Sequence, residues 1–247
     1  MQDSIDLPSI PELRRVAQSL AMLDAILSPE WDYRYYSFNR AWGPGEEMAS
    51  MRNGSGDDWF LLLDHAGAAI KGFAHELADG PVLPQNIQSQ VPADFSSFLN
   101  EPAFSMQQAT FCYWRRTGDS YWNKVDGGPS VDGADQMLSL ISSGPSGYKE
   151  WAEDYFEVPV ALDVVTALFA HQPLNDSMIL ALNPDISAVW FEVPDILVRM
   201  GMRVRYELGQ RFRSLRIDAH SLKVPRLLVY RECIHPWAHN ALLVSDG

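Results

Sequence analysis

The chain has 247 residues, of which 47% are hydrophobic and 21% are charged. This much apolar material is enough for a packed interior, so the composition excludes global disorder and favours one main domain. The formal net charge of −13 would repel phosphate groups, which disfavours nucleic acid as a partner.

The first predicted element is a helix that starts after Ser9. Ser9 and Glu12 have the spacing of a capping box, and apolar residues then recur at helical spacing until Pro29. An aromatic segment at 31–38 has the composition of a strand. Further strands are predicted at 46–52, 58–65 and 68–74, joined by turns at 53–54 and 66–67. Together these segments predict an antiparallel β-meander.

The rest of the chain is expected to be mostly helical. Residues 80–102 contain four prolines and are predicted to be mostly loop, with a short helix at 95–99. A strand is expected at 111–116 and an exposed loop at 117–135, followed by helices at 136–142, 148–156, 161–170 and 176–182. From 196 to 208 apolar and polar residues alternate, as in a half-buried strand. The predicted fold is therefore α+β: an N-terminal helix, an antiparallel β-meander, then mostly helices, with a strand-containing C-terminal tail.

The charges divide the chain into two parts. Residues 1–187 hold 10 Lys or Arg against 26 Asp or Glu, a net charge of −16, whereas residues 188–247 hold 9 against 6, a net charge of +3. We therefore predict an acidic α+β domain over 1–187 and a basic-leaning tail over 188–247, which could pack on the same core. Three arginines at strand spacing make the tail a candidate for binding anions, namely Arg199, Arg203 and Arg205.

The expected location follows from two further features. No stretch approaches the roughly 18 consecutive apolar residues that cross a bilayer, and the first residues show neither a basic leader nor an apolar run. We therefore expect a cytoplasmic protein with no membrane partner. In a reducing compartment Cys112 and Cys233 are expected to be unpaired, and Cys112, within an aromatic strand pattern, is expected to be buried rather than nucleophilic.

Several segments resemble a family of bacterial cytoplasmic proteins with no established activity. The resemblance rests on residues 30–76, with the patterns WDYRYYSFN, MRNG and GAAIKGF, and on FSSFLNEPAFSMQQATFCYWRR, YKEWAEDYFEV and ALFAHQPLNDSMILALNPDIS. It implies one folded domain and supplies no catalytic residues. The resemblance ends near Ala188, where the charge also changes sign. Residues 188–247 are then either an accretion or a shifted reading frame, or the family pattern continues beyond this point; the other frames of the gene distinguish these alternatives.

The aromatic segment is the main candidate for a binding surface. Trp, Tyr and Arg are the usual anchors of protein interfaces, although aromatic strands also serve as core and cross-strand packing. The predicted binding residues are Trp31, Tyr33, Arg34, Tyr35, Tyr36, Trp42, Glu46 and Glu47.

A second candidate site lies at the ends of a predicted hairpin. His65 and His75, with Asp64 and Glu76, could approach each other there, and two imidazoles with carboxylates suit a divalent metal or general acid–base chemistry. The alternative is that they are polar hairpin ends in water. Because no complete metal or cofactor motif is present, no metal and no cofactor are predicted.

Three functions therefore compete. The first is a non-enzymatic acidic protein that docks a basic protein partner, as an immunity protein would. The second is a metal-dependent hydrolase that uses His65, His75 and Glu76. The third is contact with an anion or nucleic acid through the arginines of the tail. The absence of a complete catalytic motif favours the first function, and the sequence leaves the oligomeric state open.

Overall fold

The computed structural model of the protein describes residues 6–76, 80–82 and 84–186. These residues form an α+β fold, as predicted, in which a helix precedes a six-stranded antiparallel sheet and further helices follow it. The helices are α1 (Ile10–Leu27), α2 (Pro84–Gln90), α3 (Ser96–Leu99), α4 (Ala134–Met137), α5 (Ser139–Phe156), α6 (Leu162–Phe169) and α7 (Asp176–Leu182). The strands are β1 (Tyr36–Gly43), β2 (Glu46–Arg52), β3 (Asp58–Leu63), β4 (Gly67–Phe73), β5 (Phe111–Arg116) and β6 (Asn123–Lys124).

Helix α1 begins at the predicted capping box. The Ser9 hydroxyl accepts a hydrogen bond from the Glu12 N–H, and the Glu12 carboxylate accepts one from the Ser9 N–H. This exchange satisfies backbone donors that the first turn leaves without a partner. The helix ends at Leu27, just before Pro29, and buries the side it presents to the sheet.

The strand predicted at 31–38 is wrong in its first half. Residues Trp31–Tyr33 form a 3₁₀ turn, and the strand begins only at Tyr36. The reason is tertiary: the buried Asp24 carboxylate accepts hydrogen bonds from the N–H groups of Tyr35 and Tyr36, and Arg34 donates to the Ser28 carbonyl at the end of α1. These bonds hold the chain against α1 before it can enter the sheet.

The strands lie in the sheet in the order in which they occur in the chain. The predicted strands at 46–52, 58–65, 68–74 and 111–116 are confirmed as β2, β3, β4 and β5. Trp59 pairs with Gly72 between β3 and β4, and Lys71 pairs with Cys112 between β4 and β5. Because side chains alternate along a strand, these registers determine which residues share a face of the sheet.

Each face of the sheet carries its own hydrophobic core. One face packs under α1, α5, α6 and α7, with residues such as Trp59, Leu61 and Ile70. The other face, with Leu62, Ala69 and the buried Cys112, is covered by residues of the 82–109 segment. That segment was predicted to be mostly loop, but it contains α2. Pro84 is the first residue of this helix, where the missing N–H group of proline costs no helical hydrogen bond.

The later helices agree with the sequence prediction, apart from a kink. Helix α5 joins the two predicted helices, with non-helical geometry at Gly144 between them, and α6 and α7 lie where helices were expected. The strand predicted at 196–208, the boundary near residue 188 and the candidate anion site lie outside the described residues.

Candidate functional site

The predicted binding residues do not form one surface. Tyr36 pairs with Met51 at one end of the β1–β2 hairpin, and Gly43 pairs with Glu46 at the other. At about 3.3 Å per residue, these ends lie about 23 Å apart. The 31–36 residues lie at the first end, and the remaining predicted residues, Trp42, Glu46 and Glu47, lie at or beside the second.

Trp42 and Glu47, at the second end, have structural partners. The Trp42 indole donates to Glu101 over 3.2 Å and stacks near Phe104, with ring centroids 6.1 Å apart. The Glu47 carboxylate forms an ion pair with Arg14 on α1. These contacts attach the end of the hairpin to its neighbours.

At the first end, the predicted residues differ in how accessible they are. Arg34 and Tyr36 are buried, so they hold the fold together and do not face solvent. Tyr33 is exposed, and the Trp31 ring lies 5.3 Å and 5.7 Å from the guanidinium carbons of Arg34 and Arg52. Tyr35 is half-buried and extends towards α5.

The predicted convergence of His65 and His75 is wrong. His65 lies in the turn between β3 and β4, whereas His75 follows the far end of β4. The seven residues of β4 separate them by about 20 Å, and both histidines are exposed, as is Glu76. Within the described ranges, no group of three or more His, Cys, Asp or Glu residues is arranged to hold a metal ion.

A buried ion pair that the sequence analysis did not predict lies in the centre of the sheet. Lys71 of β4 is fully buried, and its ammonium group contacts the Asp58 carboxylate at 2.7 Å. Burial lowers the pKa of Lys71, and the charge of Asp58 opposes this shift. The neighbouring Cys112 is buried, as expected, and burial raises the pKa of its thiol to about 12.

A second buried charge joins α1, β1 and α5. Burial raises the pKa of the Asp24 carboxyl to about 7, although hydrogen bonds from Tyr36, Tyr148 and Tyr35 lower it. The Tyr148 hydroxyl of α5 donates to Asp24 over 3.0 Å. The Asp24 carboxylate is itself fully buried, so its hydrogen bonds position the aromatic residues around it.

From this network a ladder of aromatic rings leads to the surface. Tyr36 contacts Trp151 at 5.6 Å, and Tyr35 contacts both Trp151 at 4.8 Å and Tyr155 at 5.2 Å, measured between ring centroids. Trp151 and Tyr155 are stacked, with centroids 5.1 Å apart and planes 15° from parallel. Tyr155 is 44% exposed, so the ladder ends in an accessible ring.

Carboxylates run beside the exposed end of this ladder. Glu150 and Asp154 are four residues apart on α5, one position before Trp151 and Tyr155, so the acidic and aromatic rows are adjacent. Glu157 ends the helix in a left-handed conformation. An open depression of about 520 Å³ lies next to this end of α5, lined by Glu153, Asp154, Glu157, Val158 and Pro159.

We call Glu150, Trp151, Asp154, Tyr155, Glu157 and Val158 the α5 surface. Val158 is 41% exposed, so this surface combines accessible apolar groups with negative charge. The helix was predicted from the sequence, but the α5 surface was not. Its signal was present in KEWAEDYFEVP, where acidic and aromatic residues both recur at a spacing of four.

Negative charge dominates this part of the chain. Residues 139–186, from the start of α5 onwards, hold seven Asp or Glu against the cation Lys149, a net charge of −6. Lys149 itself forms an ion pair with Glu153. The α5 surface is therefore strongly electronegative, and the other acidic residues of α6 and α7 extend the same field.

Comparison with known proteins adds no relative: no protein-family model, no curated protein and no solved structure matches this chain. Among the described residues no helix has the length and apolar character needed to span a membrane.

Proposed function

We propose that this protein is a non-enzymatic acidic binding protein of the cytoplasm that docks a basic protein partner, in the manner of an immunity protein that neutralises a cationic toxin. The observation that carries the proposal is the charge of the 139–186 segment, where seven carboxylates outnumber the cation Lys149. Membership of the bacterial family that the sequence resembles belongs to the same proposal and rests on the sequence pattern alone.

The α5 surface offers both of the interactions that such docking requires. Its carboxylates steer a positively charged protein towards it and speed encounter, an effect that salt weakens. Tyr155 and Val158 supply accessible apolar area beside those charges, and aromatic side chains are frequent anchors of interfaces. Phosphate-bearing partners would be repelled by the same field, so we propose no nucleic-acid partner.

The hydrolase alternative receives no support from this geometry. His65 and His75 lie at opposite ends of β4, so the cluster on which that alternative depended is not assembled. The anion-binding alternative rests on Arg199, Arg203 and Arg205, which lie outside the described residues.

A pull-down from a native lysate tests the proposal when it includes matched charge variants. The immobilised protein is expected to retain basic proteins at low salt and to release them at high salt. The variant Asp154→Asn/Glu157→Gln removes two charges from the α5 surface and should lose most of this retention. The control Asp94→Asn/Asp126→Asn also removes two charges, but from the layer on the opposite face of the sheet, near Arg116 and α2.

The control variant distinguishes retention by the α5 surface from retention by the net charge of the protein. If both double variants lose retention equally, average charge is responsible and the α5 surface is not the docking site. If the wild-type protein retains no basic protein at either salt concentration, the proposed function is wrong.

A further inference from the structure

The exposed Tyr155 ring indicates which side chain of the partner occupies the α5 surface. One ring face stacks against Trp151, and Tyr35 and Phe156 approach it edge-on, with interplanar angles of 75° and 89°. These three contacts fix the orientation of the ring. Because the ring is 44% exposed, part of it remains accessible to a partner.

The residues close to Tyr155 in the chain are mostly acidic. Asp154 and Glu157 flank Tyr155 in the chain, and Glu150 lies one turn earlier on α5 beside Asp154. A cation above an aromatic face is attracted by the electrons of the ring, and nearby carboxylates add ion pairs. The Tyr155 phenol stays neutral, since burial and the charge of Asp24 both raise its pKa.

We infer that the α5 surface binds an arginine side chain of the partner, with its guanidinium plane stacked on Tyr155 and its N–H groups directed to the carboxylates of Asp154 and Glu157. This inference rests on the proposed function and names the partner's chemistry. Arginine fits better than lysine because its guanidinium is planar, stacks on rings and offers several donors in a fixed geometry, whereas the lysine ammonium is compact and strongly hydrated. The depression of about 520 Å³, which Asp154 and Glu157 help to line, leaves room for the partner's chain beside these two carboxylates.

Two short synthetic peptides test this inference on the full-length protein. In one, arginine alternates with glycine; in the other, lysine replaces every arginine. Fluorescence anisotropy of the labelled peptides at low salt is expected to show binding of both, because the charge is the same. The arginine peptide should bind about 2- to 5-fold more tightly, the range that one exposed cation–π contact provides.

Three tyrosine variants locate the effect. Tyr155→Leu removes the ring and should abolish the preference for arginine, whereas Tyr155→Phe retains the ring and should preserve it. Tyr121→Leu is the matched control, because Tyr121 is 69% exposed and lies outside the aromatic ladder; it should leave both affinities unchanged. Thermal unfolding of each variant checks that it is folded, and if Tyr155→Leu does not fold, the two peptides on the wild-type protein and on Tyr155→Phe still decide.

The outcomes distinguish this inference from the function beneath it. Equal affinity for both peptides overturns the stacked arginine, as does a preference that survives Tyr155→Leu. In either case, the proposed function would still hold if salt weakens the binding of both peptides and Asp154→Asn/Glu157→Gln weakens it as well. If neither peptide binds at low salt, both the inference and the proposed function fail.

Discussion

Asp24 links the stability of the fold to pH, because its carboxyl group is completely buried beside β1 and α5. Burial raises its pKa from the ordinary value of 3.8 to about 7. Between these values the folded state binds more protons than the unfolded state does. The contribution of this group to stability is therefore fully present below about pH 4 and is lost as the pH rises through about 7.

We predict that Asp24→Asn flattens this pH dependence. The amide does not titrate in this range, so the free energy of unfolding, measured with urea between about pH 4 and pH 8, should fall less steeply than in the wild-type protein. The slopes are compared, because the amide also changes the hydrogen bonds to Tyr35, Tyr36 and Tyr148. Asp126→Asn, which removes an exposed carboxylate, should keep the wild-type slope, and an unchanged slope in Asp24→Asn would contradict the assignment.

The ion pair between Lys71 and Asp58 predicts an asymmetric response to mutation. The side chain of Lys71 is 0% exposed, whereas that of Asp58 is 25% exposed. Asp58→Ala leaves a fully buried ammonium group without its carboxylate partner and should destabilise the protein by about 3–5 kcal/mol. Lys71→Met keeps an apolar chain of similar length and leaves Asp58 in contact with water, so it should cost clearly less.

Urea unfolding of these variants measures the difference. The exposed pair Arg116–Asp94 supplies a control, because Arg116→Met should change stability by about 1 kcal/mol or less. Equal costs for Asp58→Ala and Lys71→Met would show that the difference in burial does not control this pair.

The elements themselves depend on close contacts that a single methyl group would disturb. Gly72 of β4 faces Phe111 of β5 in the sheet, and a Cβ atom at Gly72 would overlap the Phe111 ring. We predict that Gly72→Ala destabilises the protein by about 1–3 kcal/mol, the usual cost of overpacking.

A double-mutant cycle checks that the ring is responsible. Phe111→Leu is destabilising alone but makes room for the new methyl group, so the double variant should cost less than the sum of the single variants. If the two effects simply add, the cost of Gly72→Ala has another origin.

Local patterns were sufficient to predict most elements but not the exceptions. The capping box at Ser9 and the strand Phe111–Arg116 were predicted because the signals for both lie within a few residues. The strand expected at 31–38 failed because the Asp24 carboxylate of α1 binds the N–H groups of Tyr35 and Tyr36, and the Arg34 side chain binds the Ser28 carbonyl at the end of α1. Tertiary contacts of this kind override a local preference for strand.

The candidate site was harder to predict than the fold, for the same reason. In the sequence, Lys71 follows the alternation of a half-buried strand and would face solvent, because nothing local shows that the 82–109 segment covers that face. Likewise, the pairing of Tyr35 with Tyr155 joins residues 120 positions apart. Only the packing of α5 beside β1 creates the α5 surface.

At the scale of the whole molecule, the larger of the two cores draws on nearly the full length of the described residues. Its buried residues run from Leu7 to Ile186, and every buried side-chain nitrogen or oxygen among the described residues has a hydrogen-bond partner. We therefore predict that a chain ending at Ser187 folds on its own and unfolds cooperatively.

Truncation also changes the net charge of the protein in a defined direction. Removing residues 188–247 takes away a net charge of +3 and leaves −16, so the arginine peptide should bind the shortened chain more tightly at low salt. This gain should diminish as salt screens the added field. Circular dichroism and urea unfolding show whether the shortened chain folds on its own, and fluorescence anisotropy measures its affinity for the arginine peptide. A shortened chain that aggregates or melts without cooperativity would place part of the core beyond residue 187, and the predicted domain boundary would then be wrong.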